Sequence, residues 1–304
     1  MDLWHNLDWV LPLRAPALTQ LAMGLSWLGY STFIMFFMSL GFWTYNRAIF
    51  YRLMILVVVN ALLNAYAKDW IQDPRPPLEI RLDARVGASY GLPSGHAQMA
   101  VVLWMWLAWE LRRAWAWVLF TVVTASIILS RLYLGVHDLE DVVGGGALGA
   151  LSLVVFEAVR HRQWRWQTDL LWATAVVGIV TLAALASWQG HAPEYIPTLA
   201  GWLVAASWCL RWDQKRLHMA MPHTAVRRIA VALLGTALFL IEQKALKWLG
   251  AHQSLPPEIW ALVKGIVNGV FVVLVVPYTM QRVKLAQPAP HAAAQPAPLP
   301  LSSL

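Results

Sequence analysis

The sequence contains little charge and almost no cysteine. Only 13% of its 304 residues are Asp, Glu, Lys or Arg, whereas an average soluble domain carries about 25%. This deficit argues against a water-soluble globular fold. The single cysteine, Cys209, excludes an intrachain disulfide. Residues 1–14 lack a basic start followed by a continuous apolar run, so a cleavable signal peptide is not expected.

Apolar residues, in contrast, make up 59% of the chain and recur in long runs. Since a membrane-spanning helix needs about 20 such residues, the sequence predicts an all-α, polytopic bundle of membrane helices. Nine spans are predicted, at residues 31–46, 49–67, 96–111, 115–135, 139–159, 169–188, 196–211, 228–248 and 259–280. The first, third and seventh are short for a span, and an alternative start for the first lies near Leu21.

The net charge of +7 is distributed in short basic clusters between the apolar runs, which argues against a nucleic-acid partner. In the nine-span arrangement these clusters fall on one side, which the positive-inside rule makes cytoplasmic. An anionic ligand would explain the exceptions on the outer side, which are Lys68, Arg75, Arg81, Arg85 and Arg131.

Three short polar runs lie where apolar segments meet water. They are residues 68–76 (KDWIQDPRP), 93–96 (PSGH) and 130–141 (SRLYLGVHDLED). In the third run, His137 and Asp141 lie four positions apart at a helix start, so their side chains share a face. A carboxylate bonded to one imidazole nitrogen leaves the other free to attack. Ordinary helix capping by Asp138 and Asp141 is the alternative interpretation.

The second run opens another apolar segment. Ser94 is a good N-cap, and Gly95 allows an oxyanion to approach the free backbone N–H groups of the first helical turn. His96 then projects from that turn toward the same water layer as His137. Plain helix capping with a surface histidine is the alternative, and spacing alone favours His137 over His96 as the attacking imidazole.

Basic residues complete a candidate phosphate site. Arg75 and Arg131 offer planar forks for paired phosphate oxygens, and Lys68 offers a compact positive charge. A snorkelling lysine and interfacial arginines are the alternative interpretation of each residue alone. No cofactor is predicted, because the chain lacks an acidic cluster suited to Mg²⁺. A zinc site built from His96 and His137 is a minor alternative.

Together the runs fit the pattern K-x6-R-P, P-S-G-H and S-R-x5-H-x3-D. Over roughly residues 20–160 the chain resembles the type 2 phosphatidic acid phosphatase (PAP2) superfamily. The resemblance implies a metal-independent lipid phosphatase that works through a phosphohistidine, with His137 as nucleophile, Asp141 as its orienting partner and His96 as general acid. It also implies that the phosphoryl oxygens are bound by Lys68, Arg75, Arg131, Ser94 and the Gly95 amide.

On this resemblance the chain divides into four predicted parts. Residues 1–30 form interfacial or partly membrane-embedded helices, and residues 31–160 form a PAP2-like catalytic core. Residues 161–281 supply about four additional membrane helices. Residues 282–304 form a disordered tail.

Small and charged residues inside the predicted spans have separate explanations. Gly145 and Gly149 have the spacing that lets helices approach closely, and packing is favoured over a substrate groove. Four charged side chains are expected near span ends, where they reach toward the lipid headgroups; these are Glu242, Lys244, Lys247 and Lys264.

The predicted function is hydrolysis of a lipid phosphomonoester or diphosphate at the outer face of the inner (cytoplasmic) membrane. Polyprenyl diphosphate, phosphatidate-type and sphingoid phosphates are the candidate substrates, membrane lipids are the surrounding partners, and no oligomeric state is predicted. One rival is a lipid phosphotransferase that uses the same phosphohistidine. Another is a non-catalytic membrane protein that binds or transports lipid.

Overall fold

The computed structural model describes residues 4–87, 89–161, 195–216, 222 and 224–285. Every regular element within these ranges is a helix, so the predicted all-α class is confirmed. The predicted span at 169–188 and residues 286–304 of the predicted tail lie outside the described residues.

The helices are numbered in chain order within the described residues. Before residue 162 they are α1 Pro16–Trp27, α2 Ser31–Thr44, α3 Arg47–Ile71, α4 Gly95–Ala100, α5 Trp106–Leu111, α6 Ala114–Tyr133 and α7 Leu139–His161. After residue 194 they are α8 Tyr195–Arg216, α9 Ala225–His252, α10 Pro257–Val270 and α11 Val276–Arg282. Two π-helical segments, Val101–Met105 and Phe271–Val275, join α4 to α5 and α10 to α11.

Several of these helices are long and apolar enough to cross a membrane. They are Arg47–Ile71, Ala114–Tyr133, Leu139–Arg160, Ala225–His252 and Pro257–Arg282. These five stretches contain or closely match the spans predicted at 49–67, 115–135, 139–159, 228–248 and 259–280. The chain is therefore a multi-pass membrane protein.

Three predicted spans, at residues 31–46, 96–111 and 196–211, are not among these five helices. Helix α2 reaches span length only together with α1, and the two helices meet at a bend of 56°. The run at 96–111 matches a continuous helical stretch made of α4, a π-helical segment and α5, which is shorter than the five helices above. The run at 196–211 lies within α8, whose last turns carry charged residues and lower its apolarity.

Contacts divide the chain into two compact units. The first consists of Met1–Ile34 and Val59–Glu157, and it contains all three polar runs. The second consists of Met35–Val58 and Ala158–Leu304. The domain boundaries predicted from the sequence differ from this division and stay a prediction.

In the first unit, α7 packs closely against the start of α4. A Cβ atom on Gly145 would lie 2.4 Å from the Ser94 carbonyl oxygen, and one on Gly149 would lie 2.8 Å from the Gln98 carbonyl oxygen. Only glycine permits this approach, so the predicted packing role of the two glycines is confirmed. The contact holds the PSGH run beside the N-terminal half of α7.

The segment before α1 also belongs to the first unit. Leu7 and Val10 are buried against side chains of α4, α6 and α7. The Leu139 amide, at the start of α7, donates a hydrogen bond of 3.1 Å to the Trp4 carbonyl oxygen. This N-terminal segment therefore packs over the helix ends that carry two of the polar runs.

One charged side chain of the second unit is buried instead of reaching the headgroups. Glu242 is only 6% exposed. The Gln243 side-chain amide lies 3.4 Å from the Glu242 carboxylate and donates to Asn268 Oδ1 at 2.7 Å. The prediction for Glu242 is wrong, because α9 continues to His252 and places Glu242 well inside the helix.

Substitution of Gly145 tests the close contact between α7 and the PSGH run. Gly145→Ala would force α7 and Ser94 apart, and we expect a loss of about 1–3 kcal/mol in the free energy of unfolding. Gly146→Ala is the matched control, because a Cβ atom there meets nothing within 4 Å. Thermal unfolding of the purified protein in detergent measures both. Equal stability of the two variants would contradict the packing.

Candidate active site

The third polar run places an imidazole beside a carboxylate at the start of α7. His137 is 2% exposed and Asp141 is fully buried. His137 Nδ1 lies 2.8 Å from Asp141 Oδ2. Since a carboxylate accepts hydrogen bonds, Nδ1 carries the proton and Nε2 keeps its lone pair. The carboxylate thus fixes the tautomer and the orientation of the His137 ring.

The same carboxylates also cap α7, as the alternative interpretation predicted. The Asp141 amide donates to Asp138 Oδ1 at 3.0 Å, and the Asp138 amide donates to Asp141 Oδ2 at 3.3 Å. Asp141 Oδ2 therefore accepts from both His137 and the helix start. Capping and imidazole orientation occur together, because one oxygen serves both.

Arg75 contacts the free nitrogen of that imidazole. Its Nη1 donates to the Val136 carbonyl at 2.8 Å and lies 2.9 Å from His137 Nε2. Its Nε and Nη2 donate to the carbonyl and the hydroxyl of Ser89, at 2.6 and 2.9 Å. The guanidinium thus stands where a group attacked by Nε2 would sit, and such a ligand would replace this contact.

Charge and burial act together on His137, which lies in the connection between α6 and α7. Burial, followed by the positive charges of Arg75, Lys68 and Arg131, holds the pKa of His137 well below its usual range. His137 is therefore neutral at neutral pH. A neutral imidazole is the form that can act as a nucleophile.

The PSGH run lies against α7 and α3. Ser94 occupies the N-cap position of α4, as predicted, but its side chain makes no capping bond. Its amide donates to the Asp141 carbonyl at 2.9 Å, and its buried hydroxyl has no partner. Ser94 Oγ is thus left available for a ligand. A Cβ atom on Gly95 would lie 3.1 Å from Asn64 Oδ1, so Gly95 lies close to α3.

His96 is held by contacts from the connection between α1 and α2. Its ring meets the Tyr30 ring edge-on, with centroids 4.7 Å apart. A Cβ atom on Gly29 would lie 2.4 Å from His96 Cδ2. His96 Nε2 is buried without a hydrogen-bond partner. His96 interacts electrostatically with Arg131 and Arg75, two of the charges that act on His137.

The remaining predicted cations are both buried, and each has a partner. Arg131 is 1% exposed. Its Nη1 donates to Ser26 Oγ and lies 3.5 Å from Asp83 Oδ2, while its buried Nε has no partner. The Lys68 ammonium donates to the carbonyls of Tyr90 and Gly91. Lys68 thus holds the loop that leads into the PSGH run.

The structure brings the predicted site residues together in the first unit. They are Lys68, Arg75, Ser94, Gly95, His96, Arg131, His137 and Asp141. Ser130, in contrast, turns back to the Ile127 carbonyl at 2.6 Å. Among the described residues, no group of three His, Cys, Asp or Glu side chains is arranged to hold a metal ion.

Sequence reasoning missed several residues that support this cluster. Asp83, Tyr30, Ser26 and Ser89 contact the predicted cations or His96. They lie in irregular connections or in a segment interpreted as interfacial, where no periodicity marks them. Their one sequence signal is the position of Asp83 between Arg81 and Arg85, in the loop that contains most of the cations that depart from the predicted charge distribution.

Comparisons with known proteins place the chain in a family. The family model of the PAP2 superfamily matches residues 47–166. Phosphatidylglycerophosphatase B of Bacillus subtilis is 30% identical over 152 residues, which cover 46% of this chain and 73% of that protein. The chain belongs to the PAP2 superfamily.

Other PAP2 relatives share a smaller part of their length. Sphingosine-1-phosphate phosphatase 2 of Homo sapiens is 32% identical over 136 residues, which cover 42% of this chain. The chain spans about a third of that relative's length, because the match covers 34% of it. The chain also matches a crystal structure of a transmembrane PAP2-type phosphatidylglycerolphosphate phosphatase from Bacillus subtilis, with 24% identity and a TM-score of 0.45. The match covers 53% of this chain and 85% of that chain.

The charge on Arg75 offers a test of the site electrostatics that needs no activity. Arg75→Gln removes the nearest cation from His137, so the pKa of His137 should rise toward 6.5 while burial still holds it below that value. Protonation of His137 then begins at a higher pH than in the wild type. Histidine ¹⁵N chemical shifts followed against pH measure this change.

The matched control for that titration is Arg81→Gln. Arg81 Nε donates to the Pro76 carbonyl at 2.7 Å, and Arg81 is not among the main charges acting on His137. We expect the His137 titration to be unchanged in this variant. An unchanged or lower pKa in Arg75→Gln would contradict the contact between Arg75 and His137.

Proposed function

We propose that this chain is a lipid phosphate phosphatase that hydrolyses a phosphomonoester or diphosphate through a phosphohistidine at His137. The observation that carries the proposal is the arrangement around this imidazole. Nδ1 is held by Asp141 at 2.8 Å, while Nε2 meets a guanidinium nitrogen at 2.9 Å. One ring nitrogen is oriented and the other faces an anion-binding group, as attack on a phosphoryl group requires.

In the first step, His137 Nε2 attacks the phosphorus and the bond from phosphorus to the lipid oxygen breaks. The negative charge of the bound phosphate would raise the pKa of His96, so that His96 binds a proton. This protonated His96 donates its proton to the departing oxygen, so the lipid leaves as an alcohol, or as a monophosphate from a diphosphate. In the second step, water attacks the phosphohistidine and His96 accepts its proton. Inorganic phosphate leaves and neutral His137 is restored.

Buried polar atoms without partners support a phosphate ligand at this place. Ser94 Oγ, His96 Nε2 and Arg131 Nε are all buried and lack hydrogen bonds. Buried polar groups are nearly always paired, so a ligand with several acceptor oxygens would satisfy the serine and arginine donors. His96 would face the leaving oxygen. Lys68 and Arg75 add positive charge to the same pocket.

The same cations support a metal-independent mechanism. In many phosphoryl-transfer enzymes Mg²⁺ neutralises the charge that develops on the phosphoryl oxygens. Here Lys68, Arg75 and Arg131 would supply that positive charge, and their positions are fixed before the substrate binds. We therefore propose that the reaction needs no metal or other cofactor.

The positions of the site residues along the candidate spans support catalysis at one membrane surface. Lys68 and Arg131 lie near the C-terminal ends of α3 and α6, and Asp141 lies near the N-terminal end of α7. The basic clusters lie at the opposite ends of these spans, which the positive-inside rule makes cytoplasmic. We propose that the site faces the outer side of the inner membrane.

We propose residues 31–160, which contain the three polar runs, as the catalytic part. Residues 161–281 would then form an additional membrane part, and residues 282–304 a tail. Phosphatidate-type, sphingoid and polyprenyl phosphates are the substrate classes we propose, since the site described here recognises the phosphoryl group and not the tail.

A phosphate-release assay on the purified protein tests the proposal and its two rivals. We expect inorganic phosphate from at least one lipid phosphate in a panel of phosphatidate, phosphatidylglycerophosphate, sphingosine phosphate and undecaprenyl diphosphate. Release should continue in EDTA, because the proposed charges come from side chains. Asp141→Asn should lower kcat at least 10²-fold, on the order of a general base contribution, and leave KM nearly unchanged.

The matched control for Asp141→Asn is Asp69→Asn, a carboxylate outside the site, which should keep wild-type kcat. Release that appears only with an added acceptor would favour the phosphotransferase. Full function of His137→Ala in cells would favour a lipid-binding or transport protein. Loss of activity in EDTA that one added metal restores would overturn the metal-independent mechanism.

A further inference from the structure

Asp83 is a buried carboxylate that joins the phosphate-binding arginine to its surroundings. It is 2% exposed and lies in the irregular connection between α3 and α4. Its Oδ2 accepts a hydrogen bond of 2.7 Å from the Tyr30 hydroxyl and lies 3.5 Å from Arg131 Nη1. The exposed Arg85 side chain also donates to Asp83, with Nε 2.9 Å from Oδ1.

We propose that Asp83 is a positioning residue that fixes Arg131 for phosphoryl binding, and that Tyr30, which donates to Asp83, positions His96. This inference rests on the proposed function of the site. Neither residue belongs to the three polar runs, and neither would touch the phosphoryl group. Both would act through the side chains that do.

The burial of Arg131 is the first reason. A guanidinium that is 1% exposed needs a negative partner, because an unpaired buried charge is strongly unfavourable. Within the described residues, Asp83 is the carboxylate that pairs with Arg131. Ser26 Oγ accepts from the same Nη1. These contacts engage one end of the guanidinium and leave Nε without a partner, available for a phosphoryl oxygen.

The charge state of Asp83 is the second reason. Burial alone would raise the pKa of Asp83, but the hydrogen bonds from Arg85 and Tyr30 outweigh it and lower the pKa to about 2. Asp83 is therefore a carboxylate at neutral pH. Backbone contacts also fix its segment, since the Leu82 amide donates to the Leu134 carbonyl at 2.9 Å.

Tyr30 connects this carboxylate to the proposed general acid. Its hydroxyl donates to Asp83, and its ring edge packs on the His96 ring at 4.7 Å with an interplanar angle of 86°. The Arg85 guanidinium lies over the Tyr30 ring, 4.6 Å from its centroid. Tyr30 is thus held at both its hydroxyl and its ring, and its position limits the orientation of His96.

The test measures the binding of orthovanadate, a phosphate analogue, to the full-length protein in detergent by titration calorimetry. Asp83→Asn keeps the shape of the side chain and removes its charge. We expect vanadate to bind about 10–100-fold more weakly, the size of effect usual for groups that orient a ligand. Glu79→Gln, an exposed carboxylate in the same connection, is the matched control and should bind vanadate as the wild type does.

A double-mutant cycle separates positioning from a general structural effect. If Asp83 acts through Arg131, the double variant Asp83→Asn/Arg131→Gln should bind vanadate within about twofold of Arg131→Gln alone. Losses that multiply would show that Asp83 acts elsewhere and would overturn the inference. Wild-type affinity in Asp83→Asn would overturn it as well.

Tyr30→Phe provides an independent arm in case Asp83→Asn does not fold. It keeps the ring against His96 and removes only the hydroxyl, so we expect about 2–10-fold weaker binding, as for the loss of one hydrogen bond. Unchanged binding would count against the inference and leave the proposed phosphatase intact. A wild-type protein that neither binds vanadate nor releases phosphate from the lipid panel would overturn the proposed function, and the inference with it.

Discussion

The need to hold positive charge beside the neutral His137 imidazole, out of water, organises the candidate active site of this protein. A buried cation is tolerated only when it is paired or hydrogen-bonded, and each cation here is satisfied differently. Arg131 meets a carboxylate, whereas Arg75 and Lys68 donate largely to backbone carbonyls. Among the described residues, the hydrogen bonds of Lys68 and Arg75 therefore leave their positive charges without a carboxylate partner.

Short backbone contacts also surround the site. The Ser94 amide bonds to the Asp141 carbonyl, and Gly145 allows α7 to lie against the same serine. The two helix starts that carry His96 and His137 are therefore joined by main-chain contacts, which hold position more firmly than flexible side chains. A rigid pocket of this kind lowers the reorganisation needed when charge develops on a phosphoryl group.

The sequence predicted the residues of the candidate site, but it missed the residues that hold them, such as Asp83. His137 and Asp141 lie within one helical turn, so local geometry alone brings them together. Asp83 meets Arg131 across 48 positions of chain, and its connection has no periodicity that would reveal the contact. Among the spans, long apolar runs were predicted correctly. The 96–111 run is a continuous helical stretch, but its π-helical segment was not predicted. Glu242 was predicted near a span end although it is buried.

Trapping of a phosphohistidine intermediate is the most direct test of His137 as the nucleophile. Purified protein is mixed with a lipid phosphate labelled with ³²P, quenched in alkali to preserve phosphohistidine, digested and mapped by mass spectrometry. We expect label on His137 and on no other residue, with no label in His137→Ala. Label on His96, or steady release of phosphate by His137→Ala, would contradict the assignment of His137 as the nucleophile.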